Sequence, residues 1–281
     1  DEVTGETYRG AQTDRNALVP THGGTVKPTA RYPASVAPGL ASDGRDVVLV
    51  GFEGLVDFDA PFAAAHLSRV GVPFDVRGEI IQFPLDFEAD AKFTRYAHAL
   101  DTDEDGVRER LADRIAGVHR GEPRIGVPAV LGVDRVGEIR EELIDTLGAA
   151  VFEVPMGPPS LPGIRLERRF RTALAEAGVE VVGNEVVSFD QRAGRITSVV
   201  VDRNGRNIPH TASSFVLATG GLVGTCLESD REVVVEPVFG CHVAHPEDRA
   251  AWAVEDRTGE QPYPRFGVSV DDELRPLSAA G

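Results

Sequence analysis

Lysine is nearly missing from this 281-residue chain: Lys27 and Lys92 stand alone, and arginine supplies the rest of the 29 basic residues. Against them are 45 Asp plus Glu, for a formal net charge of −16. Such a surface repels nucleic acid, so no general nucleic-acid partner is expected. Strong acidity with almost no lysine is the composition of a protein held in solution by concentrated salt, where carboxylate repulsion is screened, so a halophilic origin is expected. Cysteine is as scarce. Cys226 and Cys241 make no disulfide framework and point to a reducing compartment. No apolar run has membrane-spanning length and no charged-then-apolar leader is present, which predicts a soluble, cytoplasmic chain.

Catalytic signatures are also lacking. There is no G-x-S-x-G elbow and no H-E-x-x-H helix, and no catalytic residue stands out. Cys241-His242-x-x-His245 brings borderline metal ligands close together, but zinc needs a fourth group and none is spaced for it, so no metal is expected. Asp101–Asp105 (DTDED) lacks the glycine and terminal glutamate of a calcium loop and reads as a solvated helix cap. His66 falls on an apolar helical stripe and reads as a buried, hydrogen-bonded histidine. The chain starts at Asp1 without methionine and stops at Gly281 just after a strand-like segment, which predicts a piece of a longer polypeptide.

What is present is an alternation of strand and helix signals. Residues 1–45, rich in Gly, Pro and Thr, read as an extended arm. Val47–Phe52 is a buried-strand run; a helix with Phe62, His66, Leu67 and Val70 on its stripe follows, then Gly71 as a left-handed cap, and Val72–Val76 starts a second strand. Lys92–Leu100 and Val107–Val118 read as helices. A second unit comprises the strand Arg124–Leu131, Asp134 as N-cap, a helix carrying Val136, Ile139, Leu143 and Leu147, and the strand Val151–Val154. Two βαβ units over residues 46–156 predict an α/β domain, three layers deep, with a parallel sheet.

Residues 157–281 read differently. Gly157–Arg169 (GPPSLPGIRLERR) opens a helix over Leu161–Ala177 with Ser160 as its N-cap and a stripe of Leu166, Phe170, Leu174 and Ala177. Arg165, Arg168 and Arg169 near its start oppose the helix dipole, so a phosphate, a substrate anion or a carboxylate of the protein is expected beside them. Beyond lie a short strand at Val179–Val182, a hairpin of Glu185–Asp190 and Arg195–Arg203 closed at Ala193-Gly194, and a polar turn from Gly205 to Pro209. Ser213–Leu217 then reads as a buried strand ending at Ala218-Thr219-Gly220-Gly221. Small residues at the carboxyl end of a strand let a flat or phosphorylated group approach the backbone.

This order of elements resembles FAD-dependent oxidoreductases of the two-dinucleotide-binding type, in which an ATGG turn lies beside the flavin. Four blocks narrow the resemblance: residues 48–72, residues 154–182 with PPS-x-x-GIRL at Pro158–Leu166, FVLATGG at Phe215–Gly221, and FGV-x-x-D-x-x-LRP at Phe266–Pro276. Together they are similar to the B subunit of anaerobic glycerol-3-phosphate dehydrogenase. The resemblance implies a flavin-containing (FMN or FAD) component of a complex that oxidises sn-glycerol 3-phosphate to dihydroxyacetone phosphate. Its implied partners are a flavoprotein A subunit and an iron–sulfur C subunit, which passes electrons to a quinone and holds the complex at the membrane. The candidate cofactor contacts are Ala218, Thr219, Gly220 and Gly221, with Ser160 and Arg165. The family's phosphate loop is not among these 281 residues, so the chain alone is expected to carry no flavin and no dehydrogenase activity. Residues 157–281 are expected to form an incomplete flavin fold with an open sheet edge and the amino-terminal arm packed along it. Two other readings are an assembly and electron-transfer scaffold, and a nicotinamide enzyme using Gly51, Gly54 and Asp75.

Overall fold

A computed structural model describes residues 7–10, 16–88, 91–222, 227–255 and 260–278. Cys226 and both chain ends lie outside them. The chain divides into two units, Asp1–Glu180 and Val181–Gly281.

In the first unit, β1 (Tyr8–Gly10) has a partner in β4 (Arg31–Pro33), and β2 (Ala17–Pro20) pairs with β3 (Val26–Thr29), both antiparallel. The chain then runs β5 (Val47–Phe52), α1 (Ala60–Val70), β6 (Val76–Ile81), α2 (Phe93–Thr102), α3 (Val107–Ala116), β7 (Arg124–Pro128), α4 (Val136–Leu147), β8 (Ala150–Val154) and α5 (Leu161–Glu176). Strands β6, β5, β7 and β8 lie side by side in that order, all parallel. The protein is thus a mixed α/β one. Every residue of β5 and β7 is buried, which is why both read as unbroken apolar runs rather than alternating ones.

The amino-terminal arm is fastened to this sheet, where the sequence placed it along residues 157–281. Glu153 N–H donates to Ser35 O at 2.9 Å, and His22 N–H to Pro155 O at 3.1 Å. Arg124, 0% exposed at the start of β7, donates to the carbonyls of Pro38, Leu40 and Arg45 and stacks over Phe74 at 4.4 Å. One buried guanidinium therefore satisfies three carbonyls of a segment with little regular structure.

Three local expectations are corrected. On α1 the buried face is Ala60, Ala63, Ala64 and Leu67, while Phe62 and Val70 are about half exposed and His66 leans on Phe62 at 4.1 Å. The reason is close approach: a Cβ on Gly78 of β6 would lie 2.2 Å from the Ala60 carbonyl oxygen, so at its amino end the helix backbone rests directly on the sheet. At α4 the cap is not Asp134. Asp101 of α2 accepts from the backbone N–H groups of Val133, Asp134 and Arg135. On α5 only Leu161 and Arg165 are buried, and Phe170 is 47% exposed.

In the second unit, β9 (Val186–Arg192), β10 (Arg195–Asp202) and β11 (Asn207–Thr211) form an antiparallel meander with β10 central. Ala193-Gly194 makes the first turn with φ of 51° and 75°. The polar turn read at Gly205–Pro209 is in fact mostly β11. Asn204-Gly205, with φ of 54° and 79°, is the turn, and Pro209 is tolerated because β11 is an edge strand. Val179–Val182 and Ser213–Leu217 are not strands. Two short pairs follow, β12 (Glu228–Ser229) with β13 (Val234–Val235) and β14 (Val243–Ala244) with β15 (Gly267–Val268). They enclose a small core of Leu227, Val234, Val243, Trp252 and Phe266.

Candidate functional site

The segment from Ser213 to Leu222 carries four of the candidate contacts. An apolar run forms a strand only where a neighbour takes up its N–H and C=O groups. Among the described residues, no hydrogen bond engages the backbone of 213–222, and Val216 is 88% exposed. Ala218, Thr219 and Gly220 are exposed and Gly221 half-buried; Gly220 has φ of 94°. A Cβ on Gly221 would meet only the Phe266 carbonyl oxygen, at 4.0 Å. The turn thus presents unengaged amides and no bulky side chain.

Its anchor is the later FGV block. Leu222 packs against the cluster of Trp252 and Phe266, whose rings are 5.6 Å apart and nearly perpendicular. His245 joins them at 5.4 Å from Trp252. Its Nε2 accepts from Val234 N–H at 3.3 Å, so Nδ1 carries the proton and donates to Pro246 O at 2.9 Å. Trp252 Nε1 donates to the same carbonyl at 2.7 Å. Two motifs 45 residues apart, Phe215–Gly221 and Phe266–Pro276, are thereby brought together at Gly221 and Phe266.

Glu236, 2% exposed, is a residue the sequence reading missed. Its carboxylate accepts from the N–H groups of Val238, Phe239 and Cys241. Burial first, and then this carboxylate, push the Cys241 thiol above its usual range, which favours the neutral thiol. His242 Nδ1 pairs with Ser269 Oγ at 2.8 Å. Among the described residues, no group of three or more His, Cys, Asp or Glu is placed to hold a metal ion.

Ser160 and Arg165 lie in the other unit. The Ser160 hydroxyl accepts from Gly163 N–H at 3.3 Å and caps α5. Arg165 is buried and forked onto Glu153, with bonds of 2.6 and 2.8 Å, and its Nε donates to Gly132 O at 2.8 Å. Of the anions open to Arg165 from sequence, the structure supplies a carboxylate of the protein. A Glu in the apolar strand AVFEV, followed by an Arg one turn into the next helix, was the signal available for Glu153.

Gly51, Gly54 and Asp75 do not make a nucleotide site. Asp75 immediately precedes β6, its carbonyl accepting from Val47 N–H, so it lies at the amino edge of the sheet. Gly51 and Gly54 lie at the carboxyl edge, about 15 Å of strand away. Gly51 serves packing: its Cβ would touch Ala60 at 3.3 Å.

For a flavin, the exposed Ala218–Gly221 backbone fits the approach of a flat ring. For its phosphates, the amino ends of α1 and α5 are not on offer, being occupied by Asp59 and Ser160.

The fold is of the flavoprotein class. The profile described as "FAD binding domain" matches residues 2–281, and the chain belongs to that family. It is 55% identical, over 98% of its own length and 66% of the relative's, to the probable anaerobic glycerol-3-phosphate dehydrogenase B subunit of Halobacterium salinarum. Proteins named as the B subunit of anaerobic glycerol-3-phosphate dehydrogenase from Pectobacterium atrosepticum and Yersinia enterocolitica are 32% and 30% identical, over 87% and 94% of the chain and 58% and 63% of theirs. The chain thus spans about two thirds or less of the length of these relatives. The family read from the four sequence blocks is the one found, and the acidic, lysine-poor composition has its counterpart in a relative from a salt-loving source. No solved structure matches.

Proposed function

We propose that this chain is the greater part of a flavin-containing B subunit, in a complex that oxidises sn-glycerol 3-phosphate to dihydroxyacetone phosphate and delivers the electrons to a quinone. The observation that carries the reading is the unengaged Ala218–Gly221 backbone, held at Gly221 and Leu222 by the FGV block, in a chain 55% identical to a protein of that name. A bound flavin supplies the two-electron oxidation of an alcohol carbon. The residues of this chain do the positioning. The backbone of Thr219, Gly220 and Gly221 would hold the ring, with its unengaged amides as the donors on offer, and Trp252 and Phe266 would keep water from the side of the turn packed on Leu222. The phosphate contacts are not made at the amino ends of α1 or α5, which Asp59 and Ser160 occupy. A flavoprotein A subunit and an iron–sulfur C subunit are its partners, the latter giving contact with the membrane; among the described residues no helix is long and apolar enough to cross one.

The test uses the 281-residue chain and the full-length protein, each purified in molar salt. The full-length protein is yellow and the shorter chain colourless. In the full-length protein Gly221→Val lowers bound flavin at least about tenfold with the circular dichroism unchanged, as expected for loss of a close backbone approach. Full flavin content in Gly221→Val overturns the placement. Glycerol-3-phosphate-dependent dye reduction by the partners alone replaces the reading with that of a scaffold.

A further inference from the structure

The strand order β6-β5-β7-β8 puts a topological switch point between β5 and β7, because the chain leaves β5 toward one side and returns to β7 on the other. Outside the carboxyl ends of two such strands is where open α/β sheets take nucleotides, with phosphate on the amides of the next helix's amino end. Here that place is filled by the protein. The loop from β7 to α4 turns its amides inward, and Val133 N–H donates to Asp101 Oδ2 at 2.6 Å. Arg135 N–H donates to Asp101 Oδ1 at 3.0 Å, and Asp134 N–H lies 3.3 Å from both oxygens. Three successive amides converging on one anion make the concavity that phosphates occupy elsewhere.

Two further observations show that the arrangement is built. Gly132 has φ of 82°, and a Cβ there would lie 2.3 Å from Asp101 Oδ1, so only glycine admits the carboxylate. The opposite side of the loop is held as firmly: Leu131 N–H donates to Glu153 Oε1 at 2.9 Å, and Gly132 O accepts from Arg165. Across the crevice the amino end of α1 is closed by Asp59, which accepts from Phe62 N–H at 2.8 Å.

We propose that Asp101 is a built-in anion that takes the place of a nucleotide phosphate, closing this α/β unit to dinucleotides and making the β7–α4 loop the rigid seat of α5. The carboxylate comes from the last turn of α2, 32 residues before Val133, so it ties α2 to the amino end of α4. On the far side of the same loop, Arg165 ties in α5. Asp101 is a positioning residue. The inference is independent of the flavin reading.

The test is hydrogen exchange of the 130–136 segment in the full chain, alone and with formate, together with NADH and ATP titrations. In the wild type, the amides of Val133, Asp134 and Arg135 exchange slowly, and neither formate nor nucleotide changes them. Asp101→Ala raises their exchange by about tenfold or more, and about 0.1 M formate restores most of the protection by entering the vacated place. Asp101→Asn, which keeps the shape and one acceptor oxygen, shows an intermediate loss and covers the case in which the alanine variant does not fold. Fast exchange in the wild type, no response in either variant, or a micromolar Kd for NADH or ATP in the wild type overturns the proposal.

Discussion

Arg165 and Glu153 show how a residue's chemistry can be visible in sequence and its use hidden. Both are buried, and each carries a charge that the other neutralises. Removing one partner strands a charge away from water, so Arg165→Leu lowers stability by about 3–5 kcal/mol in urea unfolding at fixed salt. The double change Arg165→Leu with Glu153→Leu recovers most of that loss, since neither charge is left to desolvate. A single variant within about 1 kcal/mol of the parent would sink this account. Glu122 gives a pH prediction. Burial raises its pKa, but the Arg77 guanidinium and the Arg120 backbone N–H more than offset this and bring it from the usual 4.5 to about 2. The stabilisation is therefore complete above about pH 4.5 and is lost as pH falls through about 2, amounting to about 3 kcal/mol. Comparing the wild type with Glu122→Gln from neutral pH downward checks it: the stability gap between them narrows as pH falls and closes near pH 2.

Among the elements, the alternating strands and helices of the first unit were legible because both strand signals and helix stripes are local. The carboxylate that holds the amides leading into α4 was not, because it comes from 32 residues away, and no periodicity reports that. Strand β11 was hidden by Pro209, which argues against a central strand and says little about an edge. The face of α1 was misread because hydrophobic size was taken for burial, whereas at Gly78 the helix backbone rests directly on the sheet. That close approach predicts a large effect from a small change. Gly78→Ala places a methyl group against backbone atoms of Ala60 and Pro61, which cannot give way as a side chain does. A loss of about 2–4 kcal/mol in thermal unfolding is expected, against about 1 kcal/mol for Gly148→Ala, where only the left-handed backbone is strained.

At the scale of the whole molecule, charge and connection each carry a prediction. With a net charge of −16 the folded chain repels itself, so dialysis from molar to millimolar salt lowers its melting temperature and broadens the transition, as scanning calorimetry would record. An unchanged cooperative melt is the outcome that rules this out. Residues 177–185, which join the two units, are exposed throughout and outside helix and strand. A glutamate-specific protease should therefore cut first at Glu180 or Glu185, leaving two fragments that mass spectrometry separates. At this scale the candidate site was half legible. The ATGG turn could be located from its small residues. Its anchoring by Phe266 and Trp252 joins segments more than 30 residues apart, and only tertiary structure reveals it.

The alanine face of α1 has a bearing on how this chain can vary. Its buried face is Ala60, Ala63 and Ala64 together with Leu67, so most of the positions that hold the helix in place are its smallest residues. Phe62 and Val70, about half exposed, answer to solvent. Tolerance to substitution therefore follows exposure and not size: Phe62 can become polar with little loss, while Ala63 can hardly gain a carbon. On a chain already this acidic, Phe62 and Val70 are the hydrophobic positions of the helix that can take a charge, and Leu67 is not one of them.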